Sequence, residues 1–204
     1  RWWAPCQEPA ERALELARRG GFEMREGNAT ILRGIALAHQ GQVTVGIDQI
    51  TEGLYRWEAS GAGLVAYGRA SLAEAHLLAG QPQAGLRASD ESLYPSQETW
   101  WLPEQYRLRA ELLLLKQGSE GEAETLLNQA ADLAASQNAR SLELRALTSL
   151  VRLQHRQGGQ APAAERLAAC YAAFTEGFDL PDLKDASSLL QALGLRQESA
   201  APAG

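Results

Sequence analysis

Four glycines recur along this chain of 204 residues at nearly constant separations of 39, 38 and 40 residues: Gly41, Gly80, Gly118 and Gly158. Each glycine lies between two stretches whose apolar residues follow the spacing of an amphipathic α-helix. A repeat of this length is typical of stacked helical hairpins, each of which needs its neighbours to cover its apolar faces. The spacing therefore predicts an array of helical hairpins, an architecture that is built as a binding surface.

Composition agrees with an all-α fold in one domain. Hydrophobic residues make up 45% of the chain and charged residues 22%, and the prominent Ala, Leu, Glu, Gln and Arg favour helix over strand. We expect residues 1–193 to form a single repeat domain and residues 194–204 to form a disordered tail. The first predicted helix falls one period before the second helix of the first hairpin, so the array is expected to start in the middle of a repeat.

Prolines and glycines set the predicted helix bounds, because proline suits the first turn of a helix and glycine suits its close. The predicted helices cover residues 10–19, 23–40, 43–59, 64–79, 82–93, 103–117, 120–136, 141–157, 162–175 and 182–193. The eight helices between the first and the last pair into four consecutive hairpins. A loop is predicted over residues 94–101, between the second hairpin and the third.

Charge and hydropathy argue against two classes of partner. The net charge of −6 and the pI near 5.2 oppose nucleic acid, whose phosphates bind mainly through cations. No apolar run approaches the roughly 18 residues that a membrane span needs. The two cysteines, Cys6 and Cys170, form no CxxC motif, and this usage favours the reducing cytoplasm.

The sequence offers no catalytic motif. A phosphate-binding loop needs a lysine that directly follows a glycine, but Lys116 and Lys184 both follow leucine. No GxSxG motif is present to position a nucleophilic serine. We therefore expect no catalytic residue and no cofactor in this chain.

Three histidines near the ends of first helices of hairpins, His39, His76 and His155, raise the question of a metal site. Adjacent helix axes lie about 8–10 Å apart, whereas zinc needs every imidazole nitrogen at about 2 Å. We interpret the histidines as solvated or capping residues and expect no metal. Aspartates in first turns, such as Asp182 and Asp185, are interpreted as helix caps and solvated faces.

An arginine cluster and a tryptophan pair each allow two interpretations. Arg145, Arg152 and Arg156 lie near one side of their helix, where they could bind an anion or an acidic partner, or form salt bridges to the neighbouring repeat. Trp100 and Trp101 could anchor a partner or pack across the gap between hairpins. Salt bridging and packing are the more ordinary roles.

Several segments resemble a known family. Gly34, Leu37, Gly46, Ile50 and Gly53 occupy the packing positions of the tetratricopeptide motif. Residues 141–150 (SLELRALTSL) and 174–186 (FTEGFDLPDLKDA) closely resemble the carboxy-terminal end of bacterial signalling proteins in which an adenylate or guanylate cyclase domain, or a winged-helix DNA-binding domain, precedes a STAND-type ATPase and tetratricopeptide-like repeats. Residues 30–34, 72–75, 79–82 and 106–114 look like the same family, so the resemblance spans roughly residues 9–193.

The resemblance implies a right-handed α-α superhelix of tetratricopeptide-like hairpins with a concave binding face. The residues that it places on this face are Asn28, Ile35, Tyr67, Glu74, Gln105, Leu112, Arg145 and Arg152. Their mixed chemistry suits a protein, a peptide or a small-molecule effector, whose binding would bias the upstream ATPase and output domains. An architectural role, in which the array self-associates or spaces other domains without a ligand, is the alternative.

Overall fold

The computed structural model describes residues 4–59, 65–93, 99–117, 119–158 and 162–195, and these residues form helices without any β-strand. This confirms the predicted all-α class. The α-helices are α1 (Ala4–Gly20), α2 (Glu23–His39), α3 (Val43–Ala59), α4 (Val65–Leu78), α5 (Pro82–Leu93), α6 (Leu102–Leu115), α7 (Glu120–Ser136), α8 (Arg140–Arg156), α9 (Ala163–Ala172) and α10 (Pro181–Ala192). A short 3₁₀ turn, Thr99–Trp101, leads into α6.

Helices pack in sequence order, and the four predicted hairpins, α2–α3, α4–α5, α6–α7 and α8–α9, are all in contact. A second set of contacts joins every other helix, since α2 contacts α4, α4 contacts α6, α6 contacts α8, and α8 contacts α10. We call these five the inner helices and α1, α3, α5, α7 and α9 the outer helices. Side chains from inner helices that are distant in sequence are thereby brought onto one surface.

Two apolar clusters support this arrangement. The larger one joins α6 to α10 around residues such as Leu127, Leu147 and Leu150, which are fully buried. The smaller one joins α2, α3 and α4 around Ile31 and Ile50. Each fully buried aliphatic side chain of this size stabilises the fold by about 1.5–3 kcal/mol.

The contact between α2 and α3 is unusually close because glycines face glycines. A Cβ atom on Gly34 would lie 2.8 Å from the Gly46 carbonyl oxygen, and one on Gly53 would lie 2.7 Å from the Gly27 carbonyl oxygen. The two glycines of each helix are seven residues apart, so they lie on one face. We call these two contacts the glycine seam.

Helix α1 starts earlier than predicted. Pro9 was expected to precede the helix, but α1 begins at Ala4 and includes Pro9 in its second turn. A proline so close to the N-terminus removes only one backbone hydrogen bond. The side chain of Gln7 donates to Glu11 Oε1 across it at 2.9 Å, which stabilises the same turn.

Other boundaries differ little. Helices α3, α5 and α7 have the predicted bounds, whereas α9 ends at Ala172 rather than at residue 175. The chain turns there so that the Phe178 ring lies 5.9 Å from the Tyr171 ring. Gly194 and Leu195 close α10, with the Leu195 amide donating to the Leu190 carbonyl, and the rest of the predicted tail lies outside the described residues.

The close of α6 suggests a stabilising substitution. Gly41, Gly80 and Gly158 have the positive φ angles expected of glycine at a helix end, but in the third hairpin Gln117 takes this conformation, at φ 56°, and Gly118 lies outside the described residues. We expect Gln117→Gly to raise the free energy of unfolding by about 1 kcal/mol, because the left-handed region is costly for a residue with a Cβ. Urea denaturation would measure the change.

The control is the neighbouring position. Lys116 is exposed and has φ −73°, so glycine there removes no strain. Lys116→Gly should lower the stability by about 0.5–1 kcal/mol. Equal changes in both variants would show that the left-handed conformation of Gln117 carries no cost.

Within the part of the chain that the structure describes, no helix is both long enough and apolar enough to cross a membrane.

Candidate functional site

Four of the predicted inner-face residues line one cavity. Ile35 from α2, Tyr67 and Glu74 from α4, and Arg145 from α8 surround a space of about 90 Å³. The cavity is completed by Ala70, Ser71, Trp101, Glu104 and Leu108. We call this space the central cavity. It exists because the inner helices pack side by side, so that residues 110 positions apart in sequence lie around it.

Glu104, which lines the central cavity, belongs to a buried ion pair. Glu104 and Arg107 lie one turn apart on α6, with Arg107 Nη2 at 2.6 Å from Glu104 Oε1 and Arg107 Nε at 3.0 Å from Glu104 Oε2. The side chains are only 2% and 11% exposed. Burial alone would lower the pKa of Arg107, but Glu104 raises it above its usual value, so the guanidinium stays charged.

Arg145 joins three inner helices. Its Nη2 atom lies 2.9 Å from Glu104 Oε1 on α6 and 3.4 Å from Glu74 Oε1 on α4, and its Nε lies 3.8 Å from Asp182 Oδ2 on α10. The side chain therefore reaches from α8 across α6 to α4. The prediction that this arginine forms salt bridges to a neighbouring repeat is confirmed.

Glu74 is an ionised carboxylate with loose partners. His39 Nε2 lies 3.6 Å from its Oε1 atom, and both this contact and the contact with Arg145 exceed the 2.7–2.9 Å typical of strong charged hydrogen bonds. Burial would raise the pKa of Glu74, but the nearby His39 ring and the charges of Arg145 and Arg107 outweigh burial and lower it from 4.5 to about 2.

This low pKa leads to a pH-dependent stability. A carboxylate whose pKa falls on folding stabilises the folded state above the unfolded pKa and loses that effect as the pH drops toward the folded pKa. We expect wild type to exceed Glu74→Gln in unfolding free energy by about 2–3 kcal/mol at pH 7, with the difference shrinking between pH 4.5 and 2. Urea denaturation across this pH range would measure it.

Glu165 provides the control for that series, because it is exposed on α9. Glu165→Gln should differ little from wild type at any pH. A Glu74→Gln difference that stays constant from pH 7 to pH 2 would contradict the low pKa of Glu74.

Two aromatic side chains, Tyr67 and Trp101, also line the central cavity. Tyr67 stacks on Trp100 with ring centroids 6.2 Å apart, and it meets the edge of Trp101 at 5.4 Å. Burial and the charge of Glu74 raise the pKa of Tyr67, so its hydroxyl is neutral at physiological pH. The two tryptophans thus pack between hairpins, which was one of the two roles considered from sequence. Trp101 also lines the cavity, and Trp100 is 48% exposed.

Arg152 lies in an adjoining polar pocket of about 120 Å³. It is half-exposed and forms an ion pair with Asp185 of α10. Arg145, Thr148 and Ser149 line the same pocket, and Arg145 also lines the central cavity. Asp182 and Asp185, interpreted from sequence as helix caps and solvated faces, are about half-exposed, with Asp182 in the first turn of α10, and they also pair with Arg145 and Arg152 of α8.

Three predicted residues lie elsewhere. Gln105 and Leu112 are 1% and 0% exposed, and Leu112 packs with Ala73 and Ala88 in an apolar cluster, so neither presents a surface to a ligand. Helix α6 is rotated so that Glu104 and Leu108 line the central cavity, and Gln105 and Leu112 are therefore buried. Asn28 is exposed but lines a separate groove between α1 and α2.

Sequence reasoning missed Glu104, Arg107 and the role of His39. A Glu and an Arg three residues apart near a helix start look like an ordinary solvated pair, because helical periodicity reveals only apolar burial. Pro103, directly before Glu104, was the one available signal, since it fixed the start of α6 and hence which residues face inward.

The histidines are dispersed over three helices. His39 lies beside Glu74, His76 Nδ1 is 2.9 Å from Gln81 Oε1, and His155 is exposed. Among the described residues, no group of three or more His, Cys, Asp or Glu side chains is arranged to hold a metal ion. The central cavity supplies carboxylates, a guanidinium, aromatic rings and aliphatic walls, which are the means of noncovalent recognition.

Compared with known proteins, the sequence matches no protein-family model and no curated protein.

Proposed function

We propose that this chain is a non-catalytic, tetratricopeptide-like binding module that takes a protein, peptide or small-molecule effector on the surface of its inner helices. The observation that carries the proposal is the central cavity, where Ile35, Tyr67, Glu74 and Arg145 meet. Ionised groups, aromatic rings and apolar walls around one cavity are typical of a site that recognises both the shape and the charge of a ligand.

The resemblance to bacterial signalling proteins supplies the context of the proposal. In this view the module is the cytoplasmic, carboxy-terminal regulatory part of a STAND-type ATPase that carries a cyclase or DNA-binding domain. Ligand binding would then bias the ATPase and the output domain. Arg145 supports such coupling, because it contacts carboxylates on three other inner helices and a ligand at any of them changes its surroundings.

A selection from a displayed peptide library tests the binding role. The inner variant combines Tyr67→Ala, Glu74→Gln and Arg145→Gln. The outer control combines Tyr55→Ala, Glu165→Gln and Arg87→Gln, which make the same chemical changes at exposed positions of α3, α9 and α5. We expect the outer control to bind the selected peptides as wild type does. The inner variant should bind them at least about tenfold more weakly, which is the effect expected from the loss of one charged hydrogen bond.

Circular dichroism and urea denaturation establish that both triple variants fold. Peptides that bind the two variants equally would contradict an inner-surface site. A chain that yields no binders from peptide and small-molecule libraries would contradict the binding role itself.

Self-association is the second candidate, and one observation favours it. Helices α1 and α2 leave an apolar groove of about 320 Å³, where Leu16, Phe22 and Leu32 are 59%, 58% and 40% exposed. Apolar residues exposed together commonly mark an interface. Sedimentation velocity should detect dimers that Leu16→Lys and Leu32→Glu each abolish, whereas a monomer at every concentration would contradict this role.

A further inference from the structure

The central cavity favours a positively charged ligand. Two carboxylates, Glu74 and Glu104, face it, and the cation among its lining residues, Arg145, is already 2.9 Å from Glu104. The adjoining pocket adds Asp182, Asp185 and Glu111 against Arg107 and Arg152, so carboxylates outnumber guanidinium groups along this surface. An anion would have to compete with these carboxylates for Arg145 and would be repelled by Glu74.

Glu74 is the acceptor that is free to take a closer donor. Glu104 has partners at 2.6, 2.9 and 3.0 Å, distances of strong charged hydrogen bonds. The partners of Glu74 lie at 3.4 and 3.6 Å, and both contact Oε1. A donor at hydrogen-bond distance from the Glu74 carboxylate would lie closer to it than either of these partners.

The walls of the cavity suit an alkyl stem that ends in a cation. Ile35, Ala70 and Leu108 provide aliphatic contacts, and Tyr67 and Trp101 provide aromatic rings. Aromatic rings attract cations, and lysine side chains bury their methylene groups while the ammonium makes polar contacts. The volume of about 90 Å³ admits an ammonium group and the adjoining methylenes, since one water occupies about 30 Å³ of liquid.

We propose that the central cavity binds an alkylammonium group, such as a lysine side chain of a peptide, with Glu74 as its main acceptor and Tyr67 and Trp101 around its stem. This inference rests on the proposed binding function and specifies the ligand class of that site. A free alkylamine carries the same chemistry as a peptide lysine, so the experiment includes both.

Trp101 provides a local readout. Its indole N–H resonance can be assigned in a ¹H–¹⁵N spectrum with Trp101→Phe, and the resonance of Trp57, which is 5% exposed in the α2–α4 cluster, is the internal control. The chain is titrated with n-butylammonium chloride and with the peptide Ac-Gly-Gly-Lys-Gly-Gly-NH₂. The matched uncharged probes are n-butanol and the norleucine peptide, at equal ionic strength.

We expect both ammonium probes to shift the Trp101 resonance saturably while Trp57 stays unchanged. The lysine peptide should bind at least about tenfold more tightly than the norleucine peptide, and Glu74→Gln should remove this preference, as expected for loss of a charged hydrogen bond. Glu165→Gln should preserve it. Tighter binding of the peptide than of n-butylammonium would identify a peptide as the source of the cation, and the reverse order would identify a free amine.

Three results would overturn the inference: equal binding of charged and uncharged probes, unchanged lysine preference in Glu74→Gln, or no binding of either ammonium probe at millimolar concentration. A different result would separate the failure of this inference from the failure of the proposed binding function. If library-selected peptides require Tyr67, Glu74 and Arg145 but contain no basic residue, the binding function stands and the cation inference fails.

Discussion

Replacing Glu104 with leucine should destabilise the fold by about 3–5 kcal/mol, because removing one partner of a buried ion pair leaves an uncompensated charge in the interior. The stranded charge is Arg107, whose side chain is 11% exposed and whose nearest carboxylate is Glu104. Arg145 loses its shortest contact as well, although Glu74 and Asp182 remain near it. The free energy of unfolding from urea denaturation measures the loss.

A second substitution separates this effect from a simple loss of contacts. In Glu104→Leu with Arg107→Met, no charge of the pair remains, so the double variant should recover most of the stability that the single variant loses. Arg107→Met alone should cost less than Glu104→Leu, because Glu104 keeps Arg145 at 2.9 Å. A double variant that is less stable than Glu104→Leu would contradict this account.

The exposed pair Asp132–Arg166 provides the control. These residues join α7 to α9 at 2.8 Å with side chains 68% and 43% exposed. Exposed ion pairs contribute about 0–1 kcal/mol, so Asp132→Asn should change the stability only slightly.

Gly34→Ala should cost about 3 kcal/mol, near the upper end of the usual penalty for overpacking. The new Cβ would lie 2.8 Å from the Gly46 carbonyl oxygen and 2.9 Å from Gln49 Cβ. A backbone oxygen cannot move aside as the end of a long side chain can, so α2 and α3 would have to separate along the glycine seam. Thermal and urea denaturation would both register the loss.

Gly121→Ala is the matched control, because it is the same chemical change in a helix where nothing lies within 4 Å of the new Cβ. Alanine favours the helix, so this variant should gain about 0.5–1 kcal/mol. A Gly34→Ala protein as stable as Gly121→Ala would show that the seam can open without cost.

The sequence predicted the hairpins well because local signals determine them. Glycines at a constant period and prolines before helices fix where the chain turns, and Gly34, Gly46 and Gly53 were correctly read as packing positions. Pro9 misled because proline is commonest at the start of a helix, whereas α1 begins at Ala4 and continues through Pro9. Such errors move a boundary and leave the packing of the helices unchanged.

The candidate site was only partly predictable, for a different reason. Ile35, Tyr67, Glu74 and Arg145 were placed on one face by resemblance, and they do meet. Gln105 and Leu112 were placed on the same face but are buried, because the exposed face of α6 depends on how far that helix is rotated between its neighbours. The burial of Glu104 with Arg107 arises from contacts among helices far apart in sequence, which no local pattern records.

Because Arg145 reaches across α6, a change at Glu74 also affects how α8 is held. A movement of α8 away from α4 would lengthen the 3.4 Å contact between these two side chains, so their attraction resists that separation. A bound cation would take over part of the charge of Glu74 and weaken that resistance. By thermodynamic reciprocity, a force that pulled α8 away from α4 would in turn change the affinity for the cation.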